Sequence, residues 1–102
     1  MLSGLMRDTL RHEIAEQLST MRRQLREQEQ RLARLKYEWH IAKRLRSQAR
    51  NEDEREKWRV QSDVYMGLVM QQESTVQETI TDIGRQQAKL AELDAQFIGE
   101  AQ

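Results

Sequence analysis

The sequence contains no cysteine and no proline, and only four glycines and five aromatic residues among its 102 positions. Without cysteine there can be no disulfide, thiolate metal site or cysteine nucleophile. Without proline nothing forces a helix to break. Tyr37, Trp39, Trp58, Tyr65 and Phe97 are too few to fill the thick core of a compact enzyme, although they can line a narrow apolar seam. β-Branched residues are scattered, which argues against sheet. No apolar run approaches the roughly 18 residues that span a bilayer, and the opening MLSGLMRDTL lacks the order of a signal peptide. An unprocessed, soluble chain in the cytoplasm, with no membrane association, is the expectation.

What the chain does contain is Gln, Arg, Glu, Leu and Ala, all good or fair helix formers, with 33% charged residues. Seventeen basic and seventeen acidic side chains cancel overall, but they are unevenly placed. Residues 1–50 carry 12 Lys/Arg against 6 Asp/Glu, and residues 51–102 carry 5 against 11. The halves are therefore +6 and −6. Either they neutralise each other when folded together, or the first is a basic arm that meets nucleic acid.

The apolar residues are spaced for helices. Ile14, Leu18, Met21, Leu25, Leu32, Leu35, Trp39 and Ala42 recur at alternating four- and three-residue steps, interrupted only by Gln28. This is the 3.5-residue period of a coiled-coil seam, and the opposite face is Arg, Glu and Gln. Ser3 is a candidate N-cap, and Leu5, Met6 and Leu10 extend the stripe to the start. In the second half Trp58, Tyr65, Val69, Val76, Ile80, Ile83, Leu90 and Phe97 repeat the pattern, with Glu73, Gln87 and Asp94 at weaker seam positions. Gly67 and Gly84 fall inside this second helix, and Gly99 is placed to end it.

Between the stripes, Ala49 to Glu56 holds no further apolar residue and the seam phase is lost. Asn51, tolerant of the left-handed conformation, and Asp53 with Glu56 as a capping box read as a turn. The chain is accordingly expected to be all-α, a single domain forming a long antiparallel hairpin: helix about 4–49, turn about 50–53, helix about 54–98. A turn centred on Glu52 makes facing positions add to 104. Ile14 then meets Leu90, Met21 meets Ile83, Trp39 meets Tyr65, Arg46 offers Trp58 a cation-π contact and Tyr37 lies opposite Gly67. One continuous helix in a dimer is the alternative topology.

Near the turn, apolar residues outrun one seam. Tyr37, Ile41 and Leu45 form a second stripe on the first helix; Val60, Val64 and Leu68 form one on the second, with Met66 and Met70 widening it. One neighbouring helix covers one stripe, so these eight residues are the candidate partner-binding surface, for partner helices or for a homo-oligomeric bundle. A broader local core between the two helices is the lesser alternative for these residues.

Chemistry-bearing motifs are few. His12 and His40 belong to no triad or metal pattern, and the Ser and Thr residues form no phosphate loop or nucleophile elbow. No catalytic residue, cofactor, metal or small-molecule substrate is expected. Arg22, Arg23, Arg26, Arg31, Arg34, Lys43 and Arg44 could contact nucleic acid, but Glu27, Glu29 and Glu38 interleave with them as on a solvated helix surface. The expected function is a non-enzymatic interaction protein, an adaptor, stalk or chaperone-like subunit of a larger assembly. A small helical nucleic-acid-binding regulator is the alternative.

Overall fold

In a computed structural model of the chain, which describes residues 4–101 and the side chains of 4–96, two α-helices pack against each other as a hairpin. Helix α1 runs Gly4–Ser47 and α2 runs Glu52–Ala101. The single continuous helix is thus excluded. Ser3 and the side chain of Phe97 lie outside the described residues. α2 continues past Gly99, so that glycine does not terminate it.

The turn is two residues earlier than the sequence suggested, and its chemistry differs. Asn51 is not left-handed, since no residue in the described chain has a positive φ. It caps α2 instead: the Glu54 N–H donates to Asn51 Oδ1 at 2.8 Å, and the Arg55 N–H makes the first helical bond to the Asn51 carbonyl at 3.1 Å. Glu54, three residues on, accepts from the Arg50 N–H at 3.2 Å, closing a capping-box-like loop. The Asp53/Glu56 box does not form, because both residues are already inside the first turns of α2, where Glu56 binds Arg59 at 2.6 Å. The end of α1 is closed by the Gln48 N–H and the Ser47 hydroxyl, both donating to the Arg44 carbonyl, at 3.1 and 2.7 Å. Arg44 and Arg46 in the last turn of α1, and Glu52, Asp53 and Glu54 in the first turn of α2, complement the two helix dipoles.

The hairpin divides into two units. One comprises Met1–Arg26 with Glu78–Gln102, the other Glu27–Gln77. In each, burial follows steps of three and four. In the turn unit Gln28, Leu32, Leu35, Trp39 and Ala42 turn inward from α1, and Trp58, Ser62, Tyr65, Val69, Gln72 and Val76 from α2. Ala42 and Val69 are the most enclosed, at 2% exposure each. In the other unit the inward residues are Ile14, Leu18, Met21 and Leu25 with Thr79, Ile83, Gln86, Leu90 and Leu93.

The α1 seam is the one read from the sequence, Gln28 included. The α2 seam is not. Ser62, Gln72, Thr79 and Gln86 hold inward positions, while Glu73, Ile80 and Gln87 face solvent. Asp94 sits at the seam margin, where it pairs with Arg11 at 3.5 Å. A polar residue tolerates a two-helix seam because its amide or hydroxyl reaches solvent or a backbone group at the edge. Leu5, Met6 and Leu10 do not extend the α1 stripe either; Leu5 is 79% exposed, and half-buried Arg7 takes the inward position.

The antiparallel register agrees with facing positions that add to 104. In the turn unit Gln72 reaches Gln28 and Lys36 reaches Glu73, pairs on either side of that value. In the other unit Arg11 and Asp94 lie one residue from it. A seam shifted by one heptad would place these partners about 10 Å apart along the axis.

Candidate interaction surface

Which side of the hairpin each turn-unit residue occupies follows from the salt bridge between Lys36 Nζ and Glu73 Oε1, 3.9 Å apart. Successive residues rotate by about 100° around a helix. On α2, the flank bearing Glu73 also carries Met66 and Met70, whereas Val64 and Leu68 project from the flank across the seam. On α1, the flank bearing Lys36 also carries Lys43, whereas Ile41 and Leu45 lie across the seam from it. The side opposite the bridge therefore collects Ile41 and Leu45 from α1 with Val64 and Leu68 from α2. Tyr37 and Val60 stand at its outer shoulders.

The levels match as well. Position numbers for Tyr37 and Leu68, for Ile41 and Val64, and for Leu45 and Val60 each add to 105, one away from the register constant, so the two stripes run side by side. Ile41, Leu45 and Leu68 are half-buried among their neighbours, while Val60, Val64 and Tyr37 are exposed at 45%, 52% and 63%. Six of the eight residues proposed from the sequence are thus brought together. Met66 and Met70 are exposed but on the opposite side, and they do not widen this surface. Counting apolar residues along a segment cannot separate two flanks of one helix; the inter-helix salt bridge does.

Two further sequence expectations fail here. Tyr37 does not pack on Gly67: the tyrosine points outward, and a Cβ built on Gly67 meets nothing within 4 Å. The cation over Trp58 is Lys57 at 5.0 Å, rather than Arg46, and Lys43 covers Trp39 at 4.0 Å. Lys43 reaches its ring from one helical turn away on the same face of α1.

The basic side chains are distributed between the units. Arg22, Arg23 and Arg26 of one, and Arg31, Arg34 and Arg44 of the other, are exposed and have no acidic partner within salt-bridge distance among the described residues. Lys43 is held over Trp39.

His12 Nε2 lies 3.0 Å from Glu16 Oε1 one helical turn away, both largely exposed, and His40 is also exposed. Among the described residues no group of three His, Asp or Glu side chains is arranged to hold a metal ion. A groove lined by Glu13, Glu16, Gln17, Thr20, Met21 and Gln24 is an open strip along α1. No described helix is long and apolar enough to cross a membrane. The most perturbed ionisable pair is structural: the Arg59 guanidinium hydrogen-bonds Glu56 and holds its carboxyl below the ordinary glutamate range, while Glu56 and Asp63 raise Arg59. No family model, curated protein or solved structure matches the chain.

Proposed function

We propose that this chain is a non-enzymatic coiled-coil interaction protein, an adaptor, stalk or chaperone-like subunit, whose turn unit docks apolar-faced helices of a partner chain. The observation that supports it is the side-by-side placement of Ile41 and Leu45 with Val64 and Leu68 on one side of the hairpin, flanked by Tyr37 and Val60. An amphipathic helix hides one stripe; here each helix carries a second stripe, and the two converge. A helix or helix pair is the natural occupant, because a surface two helices wide forms a groove that receives knobs at three- and four-residue spacing.

The test is a photo-crosslinking amino acid placed at Val64 in the chain expressed in its cell of origin. Polypeptide adducts are expected from position 64 and not from Gln77. Absence of any polypeptide adduct from both 64 and 41 would refute the reading.

A second reading, a nucleic-acid-binding regulator, is favoured by the unpaired arginines of α1. Against it, Glu27, Glu29 and Glu38 interrupt the basic residues and the acidic helix is packed alongside. A gel shift with nonspecific RNA and DNA decides it: phosphate contacts demand affinity that falls steeply with salt.

A further inference from the structure

We infer that the occupant of this surface is a second copy of the same chain, set face to face with both turns at one end, so that α1 of each copy lies on α2 of the other. The inference rests on the interaction reading above and adds the partner and its orientation.

Charge selects the orientation. Within the turn unit the α1 segment, residues 27–51, has seven Lys/Arg against three Asp/Glu, and the α2 segment, residues 52–77, has three against six. The segments are thus +4 and −3. A twofold axis parallel to the helices stacks the basic segment on the partner's acidic one. An axis across the helices would stack basic on basic and acidic on acidic.

Shape agrees with charge. Because the rows are level within one copy, the twofold preserves them: Ile41 meets Val64 of the second copy, and Leu45 meets Val60 of the second copy. The outward Tyr37 comes beside the bare backbone at Gly67 of the second copy, where nothing lies within 4 Å in one chain. Every helix in the resulting four-helix arrangement has antiparallel neighbours. The apolar rows are only about 13 Å long at 1.5 Å per residue, so the pairing is weaker than that of a full-sized interface, with dissociation in the micromolar range.

The chain's lack of cysteine makes the test clean. Sedimentation equilibrium from about 5 to about 500 µM is expected to show the mass doubling, the range implied by micromolar pairing. Ile41→Glu with Val64→Glu should abolish the doubling at unchanged helicity. A chain with Ile41→Cys mixed with a chain carrying Val64→Cys should form the mixed disulfide under mild oxidation, at least several-fold faster than either chain dimerises alone. A homodisulfide of the Ile41→Cys chain forming as fast would overturn the orientation. A chain that stays monomeric throughout would overturn self-pairing, and the interaction reading would still stand if position 64 then captures another polypeptide. Loss of both results would remove both.

Discussion

Gln72, 44 residues away from Gln28 in sequence, donates its side-chain Nε2–H to the Gln28 backbone carbonyl at 3.1 Å, while the Gln28 side-chain Oε1 is buried without a partner. One seam layer thus contains both a satisfied cross-helix bond and an unsatisfied acceptor. The bond ties α1 to α2 at one level. The acceptor is a cost, because a buried polar atom that loses water without gaining a partner destabilises by about 1–3 kcal/mol.

Replacing the glutamine that carries the orphan atom should therefore help. Gln28→Leu keeps the backbone carbonyl that Gln72 uses and removes the orphan, and it is expected to raise the stability by about 1 kcal/mol or more, read as a higher midpoint of thermal unfolding by circular dichroism. Gln72→Ala should lower the stability by about 1 kcal/mol. An equal loss for both would show that the two side chains act as one hydrogen-bonded pair.

The cap at the turn separates two possible starts for α2. Asn51→Ala removes the acceptor of the Glu54 N–H and should cost about 1 kcal/mol, whereas Asn51→Asp should be nearly silent. Asp53→Ala should cost only a few tenths from the lost dipole interaction. Urea titration of the three variants checks the order; a larger loss at 53 than at 51 would contradict this cap.

Gly67 and Gly84 are helical, and a Cβ added at either meets no atom within 4 Å. Gly84→Ala should stabilise the isolated chain by about 0.5–1 kcal/mol, since alanine loses less backbone entropy and nothing obstructs it. The readout is the urea midpoint at low protein concentration. Gly67→Ala should give the same gain there.

Ala42 and Ser62 are both small, both buried, and level in the register. Their small side chains leave little room between the helices at this level for a larger group. Ala42→Leu should overpack this point and destabilise by about 1–3 kcal/mol, against under 1.5 kcal/mol for a volume-conserving swap such as Leu35→Met. Thermal unfolding of the two variants tests it.

Glu56 supplies a pH dependence with a definite sign. Its carboxyl is held below the ordinary value chiefly by the hydrogen bond from Arg59, so the folded chain binds its proton less readily than the unfolded chain. The stabilisation is complete above the unfolded glutamate pKa and disappears as pH falls through the lower, folded one. The pair is solvent-exposed and the effect on stability is correspondingly slight. Carboxyl NMR titration should show Glu56 moving up toward the ordinary range in Arg59→Ala.

The helical period of Ile14 to Ala42 and the change of charge sign near position 50 favour two helices and a turn, and the structure excludes the continuous helix that the same pattern leaves open. The pattern favours the hairpin because the 3.5-residue repeat allows only one face to leave water, and opposite net charges favour folding the two faces together. Local chemistry was less legible. Asn51 and Asp53 both satisfy the rules for a helix start, and the choice depends on which backbone N–H the side chain meets. The α2 seam departs from the sequence pattern at Glu73, Ile80 and Gln87, because hydrophobicity draws the phase toward Ile80, whereas the packing phase follows Val69, Val76 and Ile83 acting together against α1. Only the tertiary structure decided that Ile41 and Leu45 share a side with Val64 and Leu68, while Met66 and Met70 do not. That side depends on how two antiparallel helices are rotated about their own axes, a quantity that appears in neither helix alone and is revealed by one contact across the seam, Lys36 to Glu73.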